Sequence, residues 1–487
     1  MIENLLVANR GEIARRIFRT CRGMGIGCVA VYSDADADGP HVAEADVAVR
    51  LPGSSPSDTY LRADLLIRAA LDSGADAVHP GYGFLSENAS FAADVLAAGL
   101  TWVGPSPSAI ASMGSKIESK RLMADAGVPV LGQLDPERVT EADLPILLKA
   151  SAGGGGRGMR VVSTLAELPG ELEAARTEAR SAFGDPSVFC EPYLAAGRHI
   201  EVQVMADQHG TVLALGEREC SIQRRHQKVV EEAPSPLVER IPGLREELFT
   251  AARRAAKAID YAGAGTVEFL ADSVGRFFFL EMNTRLQVEH PVTEATTGLD
   301  LVRLQLSVAE GEALPSDPVV LNGHAIEVRL YAEDPARDWQ PQSGSLHRFD
   351  IPGVDTEFGA LTGPGLRLDS GVHGGSVVGV HYDPMLAKVI AFAGTRAEAA
   401  RRLAVALSAG RLHGLRTNRD LLVRVLRHPA FLAGDTDTAF FDTHGLAALA
   451  EPLLGHRDES LRALAAALAD AAANRAGARA GGGLPSG

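Results

Sequence analysis

Only six of the 487 residues are lysine (Lys116, Lys120, Lys149, Lys228, Lys257 and Lys388), and acidic side chains outnumber basic ones by 62 to 47. A formal net charge of -15 leaves no dominant basic patch, which argues against a general nucleic-acid or membrane-surface binder. Cysteine is scarce as well. Cys21, Cys28, Cys190 and Cys220 form no CxxC pair, so neither a disulfide framework nor a thiolate zinc site is expected, and buried reduced thiols are. Cys220 stands among charged residues, yet nothing beside it supplies a nucleophile–base pair. His79, His199 and His226 lack zinc spacing. No apolar run is long enough to span a bilayer. The opening residues Met1 to Arg10 carry no basic n-region ahead of an apolar core, so a first strand and a cytoplasmic location are expected.

What is present is a large chain with 46% apolar residues, which predicts two to four domains. Residues 1–113 alternate strand and helix. Strands are expected at Asn4–Asn9, Cys28–Ser33, Asp76–His79 and Thr101–Gly104, with helices at Gly11–Met24, Tyr60–Asp72 and Asn88–Ala98. That pattern is α/β, an open and mostly parallel sheet. The first turn, Ala8-Asn9-Arg10-Gly11-Glu12, lacks GxGxxG, so dinucleotide binding is not expected. A helix at Ser115–Ala126 opens a second region, 114–320, with a glycine loop between strands and then antiparallel strands. A third, 324–446, mixes strands with a helix at Arg396–Leu407. Residues 447–487 are Ala-rich helix followed from Arg475 by Ala/Gly sequence of linker or disordered type.

The hairpin around Ser273–Arg276 carries the first chemistry. A turn centred between Val274 and Gly275 puts Glu268 across from Glu281, and like charges at cross-strand distance destabilise a sheet. They are tolerated when one is protonated or a cation lies between them. Asn283 shares the face and adds an oxygen, a donor set suited to Mg²⁺. Downstream, Arg285, Gln287 and Glu289 keep that parity. Fully extended, Glu281 and Glu289 would lie roughly 26 Å apart, so one shared site requires the chain to bend between them.

Lys149 ends an apolar strand before Gly153-Gly154-Gly155-Gly156, whose backbone N–H groups can wrap phosphate oxygens. No Walker-A pattern is present; a flexible hairpin lid is expected. Cys220 to Glu232 is a local basic cluster, Gln223-Arg224-Arg225-His226-Gln227-Lys228 at its centre, with side chains suited to a triphosphate and a small anion.

In order, Ala8–Ala14, His79–Asn88, Gly153–Met159, Gln223–Glu232 and Glu281–Pro291 resemble the biotin carboxylase family of ATP-grasp enzymes over about residues 1–446. The resemblance implies a multidomain α/β and α+β fold: a Rossmann-like pre-ATP-grasp domain, an ATP-grasp domain with a mobile lid (about 130–203) and a C-terminal domain. It implies ATP ligands at Lys116, Lys149, Gly153, Gly154, Gly155, Gly156, Glu191, Leu194, His199, Gln223, His226 and Leu270. The magnesium (or manganese) ligands are Glu268 and Glu281 with Asn283. Bicarbonate falls to Lys228, Arg285, Gln287 and the Val288 backbone, the general base to Glu289, and biotin to Arg329 and Tyr82. Biotin enters as substrate on a carrier, because none of the six lysines lies in a Met-Lys-Met context. Implied partners are a biotin carboxyl carrier protein or domain, a carboxyltransferase subunit and a second copy of the chain, with Arg16 and Arg19 at the family's dimer positions. Departures are Glu191-Pro192-Tyr193-Leu194, where many relatives have lysine second, and a shortened stretch between Pro129 and Lys149. Two other readings stand beside this one: another ATP-grasp ligase of purine-synthesis or carbamoyl-phosphate type, and a non-catalytic subunit that keeps the fold.

Overall fold

Leu5, Leu6 and Val7 are fully buried in the first strand of the computed structural model, which describes residues 1–151, 159–225, 227–315 and 319–480. An unbroken apolar run of this kind belongs to a strand covered on both faces. Strands β1 (Asn4–Val7), β2 (Gly27–Ser33), β3 (Val47–Leu51), β4 (Ala77–His79) and β5 (Thr101–Trp102) make a parallel sheet in the order β3-β2-β1-β4-β5. Helix Gly11–Met24 buries Ile13, Ala14, Ile17, Phe18 and Cys21, the apolar stripe its spacing predicts, and stops at Gly25 with φ +77°, a conformation that suits glycine. Sequence periodicity missed β3, an edge strand with most of its residues exposed or half-exposed. It also missed helix Pro107–Gly114, whose start is set by the Ser106 hydroxyl accepting from the Ala109 N–H. The helix expected from Tyr60 begins at Ala63, because the Leu61 and Arg62 N–H groups are bonded back to the Pro56 and Thr59 carbonyls of the preceding turn and Arg62 is extended.

Strands β6 (Ile146–Ala150), β7 (Arg160–Val162) and β8 (Val188–Pro192) form a small antiparallel sheet with a core of its own, made of Ile146, Leu148, Val162, Leu168, Ala175 and Cys190. It falls within the stretch, about 130–203, expected to form a lid. The loop glycines Gly153, Gly154, Gly155 and Gly156 lie outside the described residues, and so does His226.

The largest sheet is built from β9 (Arg198–Ala206), β10 (Val212–Arg224), β11 (Gln227–Ala233), β12 (Gly263–Ala271), β13 (Phe277–Asn283), β14 (His324–Tyr331), β15 (Thr356–Glu357), β16 (Gly365–Ser370) and β17 (Met385–Ala393). Their order is β13-β12-β9-β10-β11-β14-β17-β16-β15. It continues across the expected 320–324 boundary through the β11–β14 pairing, where Val230 opposes Val328. All nine residues of β9 are buried, yet they alternate in character. Ile200, Val202 and Val204 pack on helix Leu244–Lys257 through Leu248 and Ala252, while His199, Glu201 and Gln203 face the other way. Strand periodicity thus separates an apolar face from a charged one, and the charged face holds the site.

The N-terminal sheet shares a core with the middle region, Val7 and Ile17 joining Met205, Leu215, Leu286 and Leu301. Helices Arg396–Ala409 and Arg419–Arg427 close the C-terminal end against β14, β16 and β17. Helix His456–Ala480 carries exposed Leu461, Leu464 and Leu468. It runs past Arg475, where a linker or disorder was expected, because one glycine among alanines and arginines does not end a helix. Arg16, expected at a dimer surface, is instead 2% exposed and donates to Thr20, Glu294 and Asp300 within the chain. Arg19 is exposed. No described helix is long and apolar enough to cross a membrane.

Candidate active site

Glu268 and Glu281 are direct cross-strand partners, though not by the simple turn expected. The loop Asp272–Arg276 is held by the Asp272 carboxylate accepting from the Val274 and Arg276 N–H groups. It pairs Ala271 with Phe277, Leu270 with Phe278 and Phe269 with Phe279, a register that would oppose Glu268 to Leu280. A one-residue bulge at that point restores Glu268 opposite Glu281 and returns both acids to one face. Phe277 and Phe279 are buried, so the ribbon is not solvated on both sides.

Around Glu268 the donors converge. Lys228 lies 2.8 Å away, His199 Nε2 2.8 Å, Asn283 Nδ2 2.8 Å and Gln287 Nε2 3.0 Å. Burial pushes the Glu268 carboxyl up, but Lys228 and His199 outweigh it and hold the group well below the usual carboxylate range. Glu281 is shifted the other way, raised by burial and by the Glu268 charge facing it. The buried Glu268 and half-buried Glu281 from adjacent strands fit a divalent cation, which would relieve that repulsion, while Asn283 turns its amide nitrogen to Glu268 and its oxygen to Arg285.

Lys228 is the hub of the site. Its ammonium contacts Glu201 at 2.5 Å, Glu268 at 2.8 Å and Glu289 at 2.5 Å. Glu201 is also gripped by the fully buried Arg218 at 2.5 Å. The rest of the basic cluster departs from expectation: Arg224 and Arg225 reach Glu333 and Asp338 of the C-terminal region rather than a phosphate pocket. Cys220 is buried with its thiol pushed far up by burial, an inert thiol.

After Asn283 the chain leaves the sheet and turns, and Glu289 becomes the residue that caps helix His290–Thr297. This is the bend that a shared site requires. Glu289 is fully buried. Burial opposes its ionisation, yet Lys228, Arg329 and Arg218 hold its carboxyl far below the usual range. Arg329, from β14, donates to Glu289 at 3.0 Å and to Glu231 at 2.5 Å. Arg285 donates through Nε to Glu87 at 2.9 Å and through Nη2 to the Asn283 side-chain oxygen Oδ1 at 3.0 Å. Gln287 bridges Glu268 and Arg285.

At the lid, Lys149 approaches Glu191 at 2.7 Å and Lys120 lies against the other oxygen of the same carboxylate. Lys116 opens helix Lys116–Asp125, its N–H bonded to the Ser151 carbonyl. Gln223 and His199 are bonded side chain to side chain at 2.5 Å. Leu270 sits across from His199 on β12, and Leu194 follows β8, partly exposed. Tyr82 is held by Asn9, whose amide donates to the Pro80 and Tyr82 carbonyls, and its ring lies 5.9 Å from the Lys388 ammonium.

The structure therefore gathers Glu268, Glu281, Asn283, Lys228, Arg285, Gln287, Glu289 and Arg329 on one face, with Lys149 and Glu191 at the lid. Sequence reasoning missed Lys120, Glu201, Arg218, Glu231 and Glu87. Glu201 had a signal, the alternation of polar and apolar residues along β9. The others are brought in by contacts distant in sequence.

Three family models match in order: biotin carboxylase N-terminal domain over residues 1–110, carbamoyl-phosphate synthase L chain ATP-binding domain over 116–317, and biotin carboxylase C-terminal domain over 327–443. A biotin carboxylase of Halalkalibacterium halodurans is 48% identical over 455 residues, 91% of this chain and 98% of that protein. The mouse mitochondrial methylcrotonoyl-CoA carboxylase subunit alpha is 46% identical over 91% of this chain, which spans 62% of that longer subunit. Among solved structures, the Campylobacter jejuni biotin carboxylase in its β,γ-ATP complex has 40% identity and a TM-score of 0.86, covering 91% of this chain and 99% of that one. The biotin carboxylase domain dimer of Hydrogenobacter thermophilus 2-oxoglutarate carboxylase, with MgADP, ADP and bicarbonate, has 41% identity and a TM-score of 0.87, covering 93% and 100%.

Proposed function

Because this chain belongs to the biotin carboxylase family, we propose that it uses ATP and bicarbonate to carboxylate biotin borne on a carrier protein or domain, through carboxyphosphate. It is an ATP-dependent ligase. The observation that carries the reading is Glu289 buried between Lys228 and Arg329, with two carboxylates one strand away. An ionised carboxylate among cations is a base set in an anion pocket.

In this reading Lys228, Arg285, Gln287 and the Val288 backbone hold bicarbonate against Glu289. Cations that now hold Glu289 far below the carboxylate range turn to the incoming anion, so Glu289 becomes a stronger base when its substrate is present. Glu289 takes the bicarbonate proton, and the oxygen so freed attacks the γ-phosphorus, releasing ADP. Lys116 and Lys149 take the phosphates, a role the family resemblance also gives to the glycines at 153–156 and to His226; His199, Gln223, Glu191, Leu194 and Leu270 take the nucleoside end. Glu268 and Glu281, with Asn283, would hold a divalent cation, magnesium or manganese, which supplies charge neutralisation at the transferred phosphoryl group. Carboxyphosphate breaks to CO₂ and phosphate, the phosphate removes the ureido proton of biotin, and the nitrogen takes up CO₂. Arg329 faces the ureido oxyanion as an oxyanion-hole donor, with Tyr82 beside the ring.

The carrier and a carboxyltransferase are the implied partners, and a homodimer would use Arg19 rather than the buried Arg16. A cytoplasmic setting accords with the acidic composition and reduced cysteines. The test is bicarbonate-dependent ATP hydrolysis with and without free biotin. Stimulation by biotin is expected; hydrolysis indifferent to biotin would instead favour another ATP-grasp ligase.

A further inference from the structure

Lys388, on β17, is fully buried, which is rare for lysine and requires partners that repay its desolvation. Its ammonium donates to the Val288 carbonyl at 2.9 Å. It also lies 3.3 Å from Glu12 of the first helix and 3.7 Å from Asp369 on β16. Three regions of the chain therefore meet at one cation: Glu12 from the N-terminal sheet domain, Val288 from the middle region, and Lys388 with Asp369 from the C-terminal one. Gly371 permits the approach, since a Cβ there would meet the Glu12 backbone nitrogen at 3.1 Å.

Lys388 and Arg329 are direct cross-strand partners, so both project from the same face of the sheet. Arg329 grips the Glu289 carboxylate and Lys388 grips the carbonyl of the preceding residue. The peptide unit is planar, so fixing the Val288 carbonyl fixes the plane that ends at the Glu289 Cα. Adjacent cations thus hold residues 288 and 289 at two points, one on the backbone and one on the side chain. Resting on the bicarbonate reading above, we propose that Lys388 is a positioning residue, which sets the direction of the Val288–Glu289 turn and so the geometry of the bicarbonate pocket.

The experiment compares Lys388→Met with wild type in bicarbonate-dependent ATP hydrolysis, recording KM for bicarbonate and for ATP separately. The double variant Glu12→Gln/Lys388→Met, in which the buried charge stays balanced, carries the test where the single variant does not fold. The KM for bicarbonate should rise roughly tenfold to a hundredfold, the worth of one hydrogen bond to a charged group, while the KM for ATP stays within about twofold, as expected for a contact remote from the nucleotide. A folded variant with an unchanged bicarbonate KM, or with both KM values raised alike, overturns the inference. Wild-type hydrolysis that ignores bicarbonate removes the underlying reading instead, so the two failures are told apart.

Discussion

Arg329 Nη2 donates to Glu289 Oε2 at 3.0 Å, joining a strand of the C-terminal region to the turn that follows the acidic hairpin. With Lys228 it holds the Glu289 carboxyl far below the usual range. A base works only above its own pKa, so the low value keeps Glu289 ionised to low pH. Replacing Arg329 with methionine removes one of those cations, raises the Glu289 pKa and moves the acid limb of the pH–rate profile to higher pH. The profile of biotin-independent, bicarbonate-dependent ATP hydrolysis checks this; an acid limb that stays put would count against the pairing.

Glu289→Gln keeps the shape and hydrogen-bonding reach of the side chain but cannot accept a proton at a carboxylate. Bicarbonate-dependent turnover should fall by roughly 10² to 10⁴, the usual contribution of a general base. Circular dichroism should be unchanged. Retained turnover in the folded variant would remove Glu289 from the mechanism.

Glu268→Gln and Glu281→Gln each take one carboxylate from the cross-strand pair. The Mg²⁺ concentration needed for half-maximal turnover should rise roughly tenfold or more, as when a metal site loses part of its ligand shell. Glu281→Gln also ends the repulsion between the paired acids, so its unfolding midpoint without metal should be at least that of wild type. An unaltered Mg²⁺ dependence in both variants would falsify the assignment.

Glu232 ties β11 to helix Arg396–Ala409 through Arg396 at 2.5 Å and 2.9 Å and to β14 through His324 at 2.8 Å. Burial raises its carboxyl, but Arg396 and His324 prevail and lower it from 4.5 to about 2. Because the folded value lies below the unfolded one, its contribution is complete above about 4.5 and disappears as pH falls towards 2. On linkage grounds that contribution is on the order of 3 kcal/mol. Glu232→Gln should therefore lower the thermal midpoint at pH 7, with the gap from wild type narrowing at pH 3. A gap independent of pH would show that the charge itself contributes nothing.

Much of the site was legible because it is local. Glu268, Glu281 and Asn283 belong to one hairpin, and a hairpin's pairing follows from its turn and its alternation. Even so, the turn was misplaced by half a residue and the bulge beside Leu280 was invisible, since several loop registers fit the same residues. The lysine before the glycine loop and the Arg285–Glu289 run were readable as patterns of residue type along the chain, although their partners Glu191, Glu87, Lys228 and Arg329 lie far away in it. The apolar stripe of helix Gly11–Met24 was readable from its 3.6-residue period, whereas β3, an edge strand without a buried face, was not.

The chain's own order of residues determined which side chains are available: paired acids in a hairpin, a glycine run after a lysine, and a glutamate close behind an arginine and a glutamine. Tertiary structure alone decided who meets whom. Lys228 finds Glu201 and Glu289, Arg285 finds Glu87, and Lys388 finds Val288 only because the large sheet runs through two regions and the N-terminal helix closes on its edge. Such contacts join residues tens to hundreds of positions apart. Their selection depends on burying charges in mutually satisfying sets, which no local pattern of side chains encodes.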